Sequence, residues 1–339
     1  MQTKRYEIWK DGEYTYPMAC GFIPNLMSYL HEEAEGQETS DVPNAREKAR
    51  ACVLVVPGGG YAIVSPTEGE IVAKKFYEKG YQAFVLTYTT NLLGNAPLKM
   101  QPLYDISRAV RYLRANAKQF GIDPKRLVLC GFSAGAHLCG SLCVHYEDVK
   151  EDNEYEMISN RPDAAILSYP VITSGEKAHR GSFDALLGAD ASEEELEYMS
   201  LEKWVTKQTP PIFLWQTATD ETVPVENSYL MAKALKEKDV PFAHHVFPEG
   251  KHGLSLSNEE WEKGLFGMPY TMEQIQNIMR ALKSGEVVLS KEQAEVLRQL
   301  QEMSKKQANA TLPQRAASKE AAVWPELADT WIRNRLKNQ

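Results

Sequence analysis

Arg126-Leu-Val-Leu-Cys130-Gly-Phe-Ser133-Ala-Gly135-Ala-His-Leu138 runs from an apolar strand pattern into the small, apolar start of a helix. The turn between them, Gly131-Phe-Ser133-Ala-Gly135, is the only Gly-x-Ser-x-Gly in the chain. That spacing has a steric cause. A residue on a tight strand-to-helix turn sits in strained backbone geometry, and glycines two positions before and after it let the chain pass close to itself. A serine so placed projects its hydroxyl over the carboxyl edge of a sheet, where the helix N-terminus stabilises developing negative charge. The plain alternative is a glycine-lined turn with an ordinary serine. The strand before and the helix after favour a nucleophile.

Outward from this turn, apolar runs recur at Cys52 to Val56, Ala83 to Tyr88, Leu127 to Cys130, Ala164 to Ser168, Ile212 to Trp215 and Phe242 to Phe247, with helical patterns between most of them. That alternation predicts a mostly parallel sheet covered by helices on both faces. The clearest helix spans Leu103 to Phe120, with Ile106, Val110, Leu113 and Ala117 three or four apart and Gly121 as its C-cap. At the N-terminus, Tyr6 to Trp9 and Tyr14 to Tyr16 flank Asp11-Gly12 and read as an antiparallel hairpin. The last helix is expected over Trp324 to Leu336, with Pro325 at its first turn and Leu327, Trp331 and Leu336 docking on the sheet.

Residues 263-318 break the rhythm, carrying no strand pattern and two sequences of capping-box type, Thr271-Met-Glu-Gln274 and Ser290-Lys-Glu-Gln293. They predict a helical insertion within one domain spanning 1-339. Met272, Ile275, Ile278, Met279 and Leu282, and then Val296, Leu297, Leu300 and Met303, give each helix an apolar face. The insertion is therefore expected to cap a pocket or to make a homo-oligomer contact. The Lys305 to Lys319 stretch, rich in Gln, Ala, Asn and Ser, reads as a mobile link.

Composition narrows the function. A chain of 339 residues, 43% hydrophobic and 25% charged, has ample length for one large core. A formal charge of -8 with no Lys/Arg cluster argues against a nucleic-acid surface. Met1 to Asp11 has no apolar run of signal-peptide length, and no stretch is long and apolar enough to span a membrane. Cys20, Cys52, Cys130, Cys139 and Cys143 read as unpaired thiols, mostly buried, so the expected compartment is the cytoplasm. Cys139 and Cys143 share a helix face, but no second ligand pair at zinc spacing follows, which favours packing over metal.

Three further stretches complete a site. The strand Cys52 to Val56 leads into Pro57-Gly-Gly-Gly60-Tyr61, a glycine run that exposes backbone N–H groups. Gly59 and Gly60, with the N–H of Ala134 after the serine, are candidate oxyanion-hole donors, and Tyr61 is a candidate pocket residue. A dinucleotide-binding turn is the rival, but Ile63 stands where the third glycine belongs and no ribose-binding acid follows the next strand. A nucleophilic serine needs a base and the base an orienting acid, in chain order Ser, acid, His. Asp220, in the loop after Ile212 to Trp215, is the candidate acid, with neighbouring Glu221 as its substitute and Asp239 less well placed. His252, in Pro248-Glu-Gly-Lys-His252-Gly253 after the last strand, is the candidate base. His137 reads as a hydrogen-bonding support, His244 and His245 as strand residues, and His31, His145 and His179 as structural or surface residues.

Together, Pro-Gly-Gly-Gly-Tyr61, Gly-Phe-Ser133-Ala-Gly, Asp220 with Val223-Pro224, and the Lys-His252-Gly loop resemble the bacterial acetylxylan and feruloyl esterase branch of the α/β hydrolases. The resemblance covers about Cys52 to Leu256 and resumes at Trp324. It implies an α/β-hydrolase fold and hydrolysis of acyl groups, acetyl foremost, carried on plant cell-wall carbohydrate. The expected partner is a small acylated carbohydrate, such as a xylo-oligosaccharide ester, and the chemistry requires no cofactor or metal. Feruloyl esterase and general short-chain carboxylesterase activity are the alternatives, and from another class a non-catalytic binding module on the same scaffold. The insertion after His252 departs from the family pattern.

Overall fold

The six predicted runs lie side by side in one sheet. A computed structural model describes residues 1–17, 19–31, 49–94, 96–151, 153–309 and 316–337, and in it eight strands are hydrogen-bonded in the order β1-β2-β4-β3-β5-β6-β7-β8. The strands are β1 (Arg5–Glu7), β2 (Asn25–Tyr29), β3 (Arg50–Val56), β4 (Gln82–Thr87), β5 (Ile122–Phe132), β6 (Ala164–Ser168), β7 (Ile212–Thr217) and β8 (Phe242–Phe247). β3 to β8 are mutually parallel, while β1 and β2 pair antiparallel with each other and β2 with β4.

Alternation divides the sheet between two cores, because successive side chains point to opposite faces. Leu54, Val56, Leu127 and Leu129 meet α2 (Gln101–Ala115) and α4 (Ala134–His145) on one side; α1 (Glu70–Glu78) lies between β3 and β4 in the chain and α3 (Ala117–Phe120) between α2 and β5. Val53, Val55, Val128, Ile166 and Phe213 meet α1 and the C-terminal helix on the other. The helices between are α5 (Arg180–Leu187), α6 (Glu193–Tyr198), α7 (Glu226–Glu237), α8 (Glu259–Glu262), α9 (Glu273–Ser284) and α10 (Lys291–Asn309), and α11 (Trp324–Leu336) closes the chain. In α11 Trp324, Ile332 and Leu336 are buried, with Leu327 and Trp331 packed on the same core. Between α2 and α3 the predicted long helix is interrupted at Asn116, and Gly121 ends it in the left-handed region at φ 60°.

The N-terminal antiparallel pair is present, but its return strand is β2 rather than Tyr14 to Tyr16. The Asp11-Gly12 turn forms, with Glu13 N–H donating to Lys10 O at 3.0 Å. Beyond it the tyrosines leave the sheet: Tyr14 Oη meets Thr89 Oγ1 at 3.0 Å and Tyr16 O–H donates to Ala96 O at 2.7 Å.

The insertion forms its two helices by different means. At α10 the Ser290 box closes, Ser290 Oγ accepting from Gln293 N–H at 3.2 Å and Gln293 Oε1 from Ser290 N–H at 2.9 Å. At α9 no box forms, because Gln274 is spent elsewhere: it accepts from Thr90 N–H at 2.8 Å and donates to Thr90 O at 2.8 Å. Glu273 accepts from Arg5 on β1 and Asn25 on β2. These contacts dock α9 at β1, β2 and the loop after β4, two or more strands from β5. The face that docks is Gln274, Asn277, Ile278 and Ala281, and Met279 of the predicted apolar face is exposed. Along α10 Val296 is exposed and Leu297 half-buried, and the side chains of Leu300 and Met303 lie outside the described residues. Lys305 to Asn309 continue α10 rather than opening a link, as Gln, Ala and Lys are good helix formers and Arg298 pairs with Glu295 and Glu302 one turn away on either side. Residues 310-315 of the predicted link lie outside the described residues.

Candidate active site

Ser133 stands between β5 and α4 with φ 52° and ψ −118°, a conformation costly for a residue with a side chain. Its neighbours enforce it. A Cβ on Gly131 would lie 2.5 Å from Gly135 O, and one on Gly135 only 2.2 Å from Val56 O, so β3 and β5 can approach the helix only with glycine at both places. Ser133 N–H donates to Ser168 O at 3.0 Å, while Ser133 O accepts from the N–H groups of His137 at 3.0 Å and Val171 at 3.3 Å. The turn is thereby tied to β6 and cannot relax independently.

The loops after β7 and β8 bring Asp220 and His252 to this hydroxyl. His252 Nε2 is 2.8 Å from Ser133 Oγ and its Nδ1 is 2.7 Å from Asp220 Oδ2. The other carboxylate oxygen, Oδ1, accepts from the N–H groups of Thr222 and Val223 at 3.0 Å each, which fixes the plane of a fully buried carboxylate. A carboxylate facing Nδ1 places the ring proton there and leaves Nε2 free to accept from the serine hydroxyl. Glu221 is solvent-exposed, as is Asp239 at the end of α7. The histidine loop is pinned from two sides at Ser255. Its N–H donates to Tyr169 Oη at 3.0 Å, and its carbonyl accepts from Trp324 Nε1–H at 2.8 Å, Trp324 being stacked on Trp215 at 5.4 Å. The Tyr169 ring meets His252 edge-on at 4.9 Å.

In the glycine turn, Gly59 and Gly60 have φ of 122° and 64°, and a Cβ on Gly59 would strike Ile63 O at 2.4 Å. Among the described residues the N–H groups of Gly59, Gly60 and Ala134 have no partner within the protein, whereas that of Gly58 donates to Glu68 Oε2 at 2.7 Å. Tyr61 does not line a pocket: only 1% exposed, it points inward and its hydroxyl lies 2.7 Å from His137 Nδ1. Burial lowers the His137 pKa to about 4, keeping the ring neutral. Nε2–H then donates to Met199 O at 2.9 Å and Nδ1 accepts from Tyr61. His137 thus supports the glycine turn from beneath.

Three neighbours of the site carry no sequence signal. Glu68 and Tyr169 are buried behind the serine and histidine. His179 precedes α5, with Nδ1 2.8 Å from Ser182 Oγ. Burial first and the charge of His252 second hold its imidazole below the ordinary pKa, so it lies within electrostatic reach of the candidate base. Ser182 Oγ in turn is 3.9 Å from where a Cβ on Gly60 would stand. Each is brought in by packing between segments distant in sequence.

A strained serine, an imidazole in the acceptor tautomer, a fixed carboxylate and unpaired N–H groups are what acyl transfer requires. Known proteins resemble the chain in sequence and in structure. The BD-FAE family model matches residues 41–235. Endo-1,4-beta-xylanase B of Butyrivibrio fibrisolvens is 54% identical over 271 residues, 80% of this chain and 41% of that protein. Acetylxylan esterase of Xylanibacter ruminicola is 28% identical over 68% of this chain and 45% of its own length. The chain thus spans less than half the length of these two curated relatives. Among solved structures, an acetyl ester-xyloside bifunctional hydrolase from Caldicellulosiruptor lactoaceticus superposes with a TM-score of 0.67 at 36% identity, over 81% of this chain and 97% of that one.

Proposed function

The chain belongs to the BD-FAE family, and from that membership we propose that it is a serine carboxylesterase removing acyl groups, acetyl foremost, from xylo-oligosaccharide esters. The observation that carries the reading is the unbroken hydrogen-bonded chain Ser133 Oγ, His252 and Asp220, at 2.8 and 2.7 Å. Ser133 Oγ attacks the ester carbonyl carbon as its proton passes to His252 Nε2. The oxyanion accepts from the N–H groups of Gly59, Gly60 and Ala134, and Asp220 stabilises the imidazolium without taking its proton. Collapse expels the sugar oxygen, which takes the proton from Nε2, and leaves an acyl-serine. Water attacks that ester, losing a proton to Nε2, and the second collapse releases the acid and restores the serine hydroxyl. These steps are completed by side chains and backbone groups alone.

The choice of carbohydrate rests on the relatives, whose names include an acetylxylan esterase and an acetyl ester-xyloside hydrolase. His179, opposite the glycine turn and held there by the buried Ser182 hydroxyl, offers a half-buried ring nitrogen for a sugar hydroxyl. Free thiols at all five cysteines, four of them buried, suit a reducing compartment such as the cytoplasm, and no described helix is long and apolar enough to cross a membrane. With α9 committed to β1 and β2, we assign any capping or homo-oligomer role of the 263-318 insertion to α10, whose Val296 is exposed.

The test is hydrolysis of acetylated xylo-oligosaccharides beside methyl ferulate and 4-nitrophenyl acetate. The expected result is acetate release from the oligosaccharide with the highest kcat/KM. Preference for ferulate would move the activity to feruloyl esters, and turnover of 4-nitrophenyl acetate alone would reduce it to a general short-chain esterase.

A further inference from the structure

Glu68 is a carboxylate that the acyl-transfer scheme does not use, although it is sealed in the protein beside the reacting groups. Both of its oxygens accept hydrogen bonds from opposite halves of the site. Oε2 takes the N–H of Gly58, the residue before the candidate oxyanion donors, at 2.7 Å. Oε1 takes the Tyr169 hydroxyl at 2.7 Å. Tyr169 already accepts from Ser255 N–H at 3.0 Å on the histidine loop, so its own proton is free to go to Glu68. The Tyr169 ring then lies edge-on to the His252 imidazole at 4.9 Å. Tyr169 itself sits at φ 37°, a second strained residue held in place by these contacts.

We infer that Glu68 is a positioning residue for the esterase reaction proposed above: through Gly58 and Tyr169 it couples the oxyanion turn to the loop that carries His252. The inference rests on that reading of Ser133 and His252. A single buried carboxylate gripping both halves fixes the distance between the oxyanion donors and the imidazole, which is the distance that sets the barrier to acyl transfer.

A side chain kept only for stability would leave a different mark. Tyr169, Tyr88, Cys130 and His252 face Glu68, and of these only His252 can carry an opposing charge. Burial is the larger influence and holds the Glu68 carboxyl above its ordinary pKa. A raised folded-state value means that the group favours folding below the unfolded pKa and loses that contribution as pH rises through the folded one. Once ionised, Glu68 therefore costs stability. Its neutral isostere, Glu68→Gln, is expected to keep or raise the melting temperature while impairing turnover. The amide can still accept from Gly58 N–H through Oε1, but then presents Nε2–H to the Tyr169 hydroxyl, whose proton loses its acceptor, and the link to the histidine loop is weakened.

The experiment compares wild type, Glu68→Gln, Tyr169→Phe and the double variant on 4-nitrophenyl acetate, with melting temperature measured on each and fluorophosphonate labelling of the wild type as control. For Glu68→Gln the expected result is a fall in kcat of about 10- to 100-fold, short of the 10²–10³ lost with a direct oxyanion donor, with KM changed by less than about 3-fold. Its melting temperature is not lowered, and the double variant is no worse than the more impaired of the two single variants, because both substitutions cut one chain of contacts. A kcat within about twofold of wild type would overturn the inference, since positioning must appear in the chemical step. So would a loss confined to KM, a loss that tracks a falling melting temperature, failure of Glu68→Gln to fold, or multiplicative effects in the double variant. A wild-type protein that neither turns over the ester nor labels would sink the esterase reading and this inference together. A labelled, active wild type with an equally active Glu68→Gln would sink the inference alone.

Discussion

Ser133→Ala is expected to lower kcat on 4-nitrophenyl acetate by about 10⁶-fold while leaving the fold intact. Alanine keeps the Cβ, so it meets the same cost at φ 52° and the same tight contacts between Gly135 and Val56, and the elbow gains no reason to relax. Ser133 N–H and O, which tie the turn to Ser168, His137 and Val171, are backbone groups and survive the change. What disappears is the one hydroxyl 2.8 Å from His252 Nε2. The unpaired N–H groups of the glycine turn still bind an oxyanion, which leaves a residual acceleration of about 10³–10⁴ over water. Steady-state kinetics with circular dichroism on the same samples make the measurement, and a variant keeping more than about 1% of wild-type kcat would remove Ser133 from the nucleophile's role.

Asp220→Asn is expected to lower kcat by about 10⁴-fold with little change in KM. The reason lies in the hydrogen bonds at the other end of the carboxylate. Oδ1 accepts from the N–H groups of Thr222 and Val223, so an asparagine must turn its carbonyl oxygen to them and its amide to His252. That amide donates, forcing His252 Nδ1 to accept and moving the ring proton to Nε2. The imidazole then meets the Ser133 hydroxyl as a donor and cannot take its proton. Size and shape are unchanged, so the melting temperature should be close to wild type. A kcat within about tenfold of wild type would mean that the carboxylate does not set the tautomer.

The parallel sheet was legible because β3, β4, β6, β7 and the second half of β5 are buried on both faces and so appear as apolar runs, and Trp324 to Leu336 was legible because proline, spacing and length agree. β2 was not. Its Asn25 and Ser28 are buried polar residues, satisfied by Glu273 and by Lys4 N–H, and they break up the apolar Leu26, Met27 and Tyr29 into no clear run. The same substitution of polar contact for apolar burial hid the docking of α9, where Gln274 is consumed by Thr90 instead of capping its helix. In the site, Ser133, Asp220 and His252 announce themselves through local turns and chain order. Glu68 and Tyr169 do not: they meet across 101 positions, and nothing near either residue in sequence reports a buried partner.

Fluorophosphonate labelling followed by peptide mapping tests the central claim most directly, because the probe needs a nucleophile, a base and an oxyanion site at once and no knowledge of the natural substrate. One adduct per chain is predicted, on Ser133, with labelling abolished in Ser133→Ala and strongly slowed in Asp220→Asn. An unreactive native protein, or an adduct on any other residue, would contradict it.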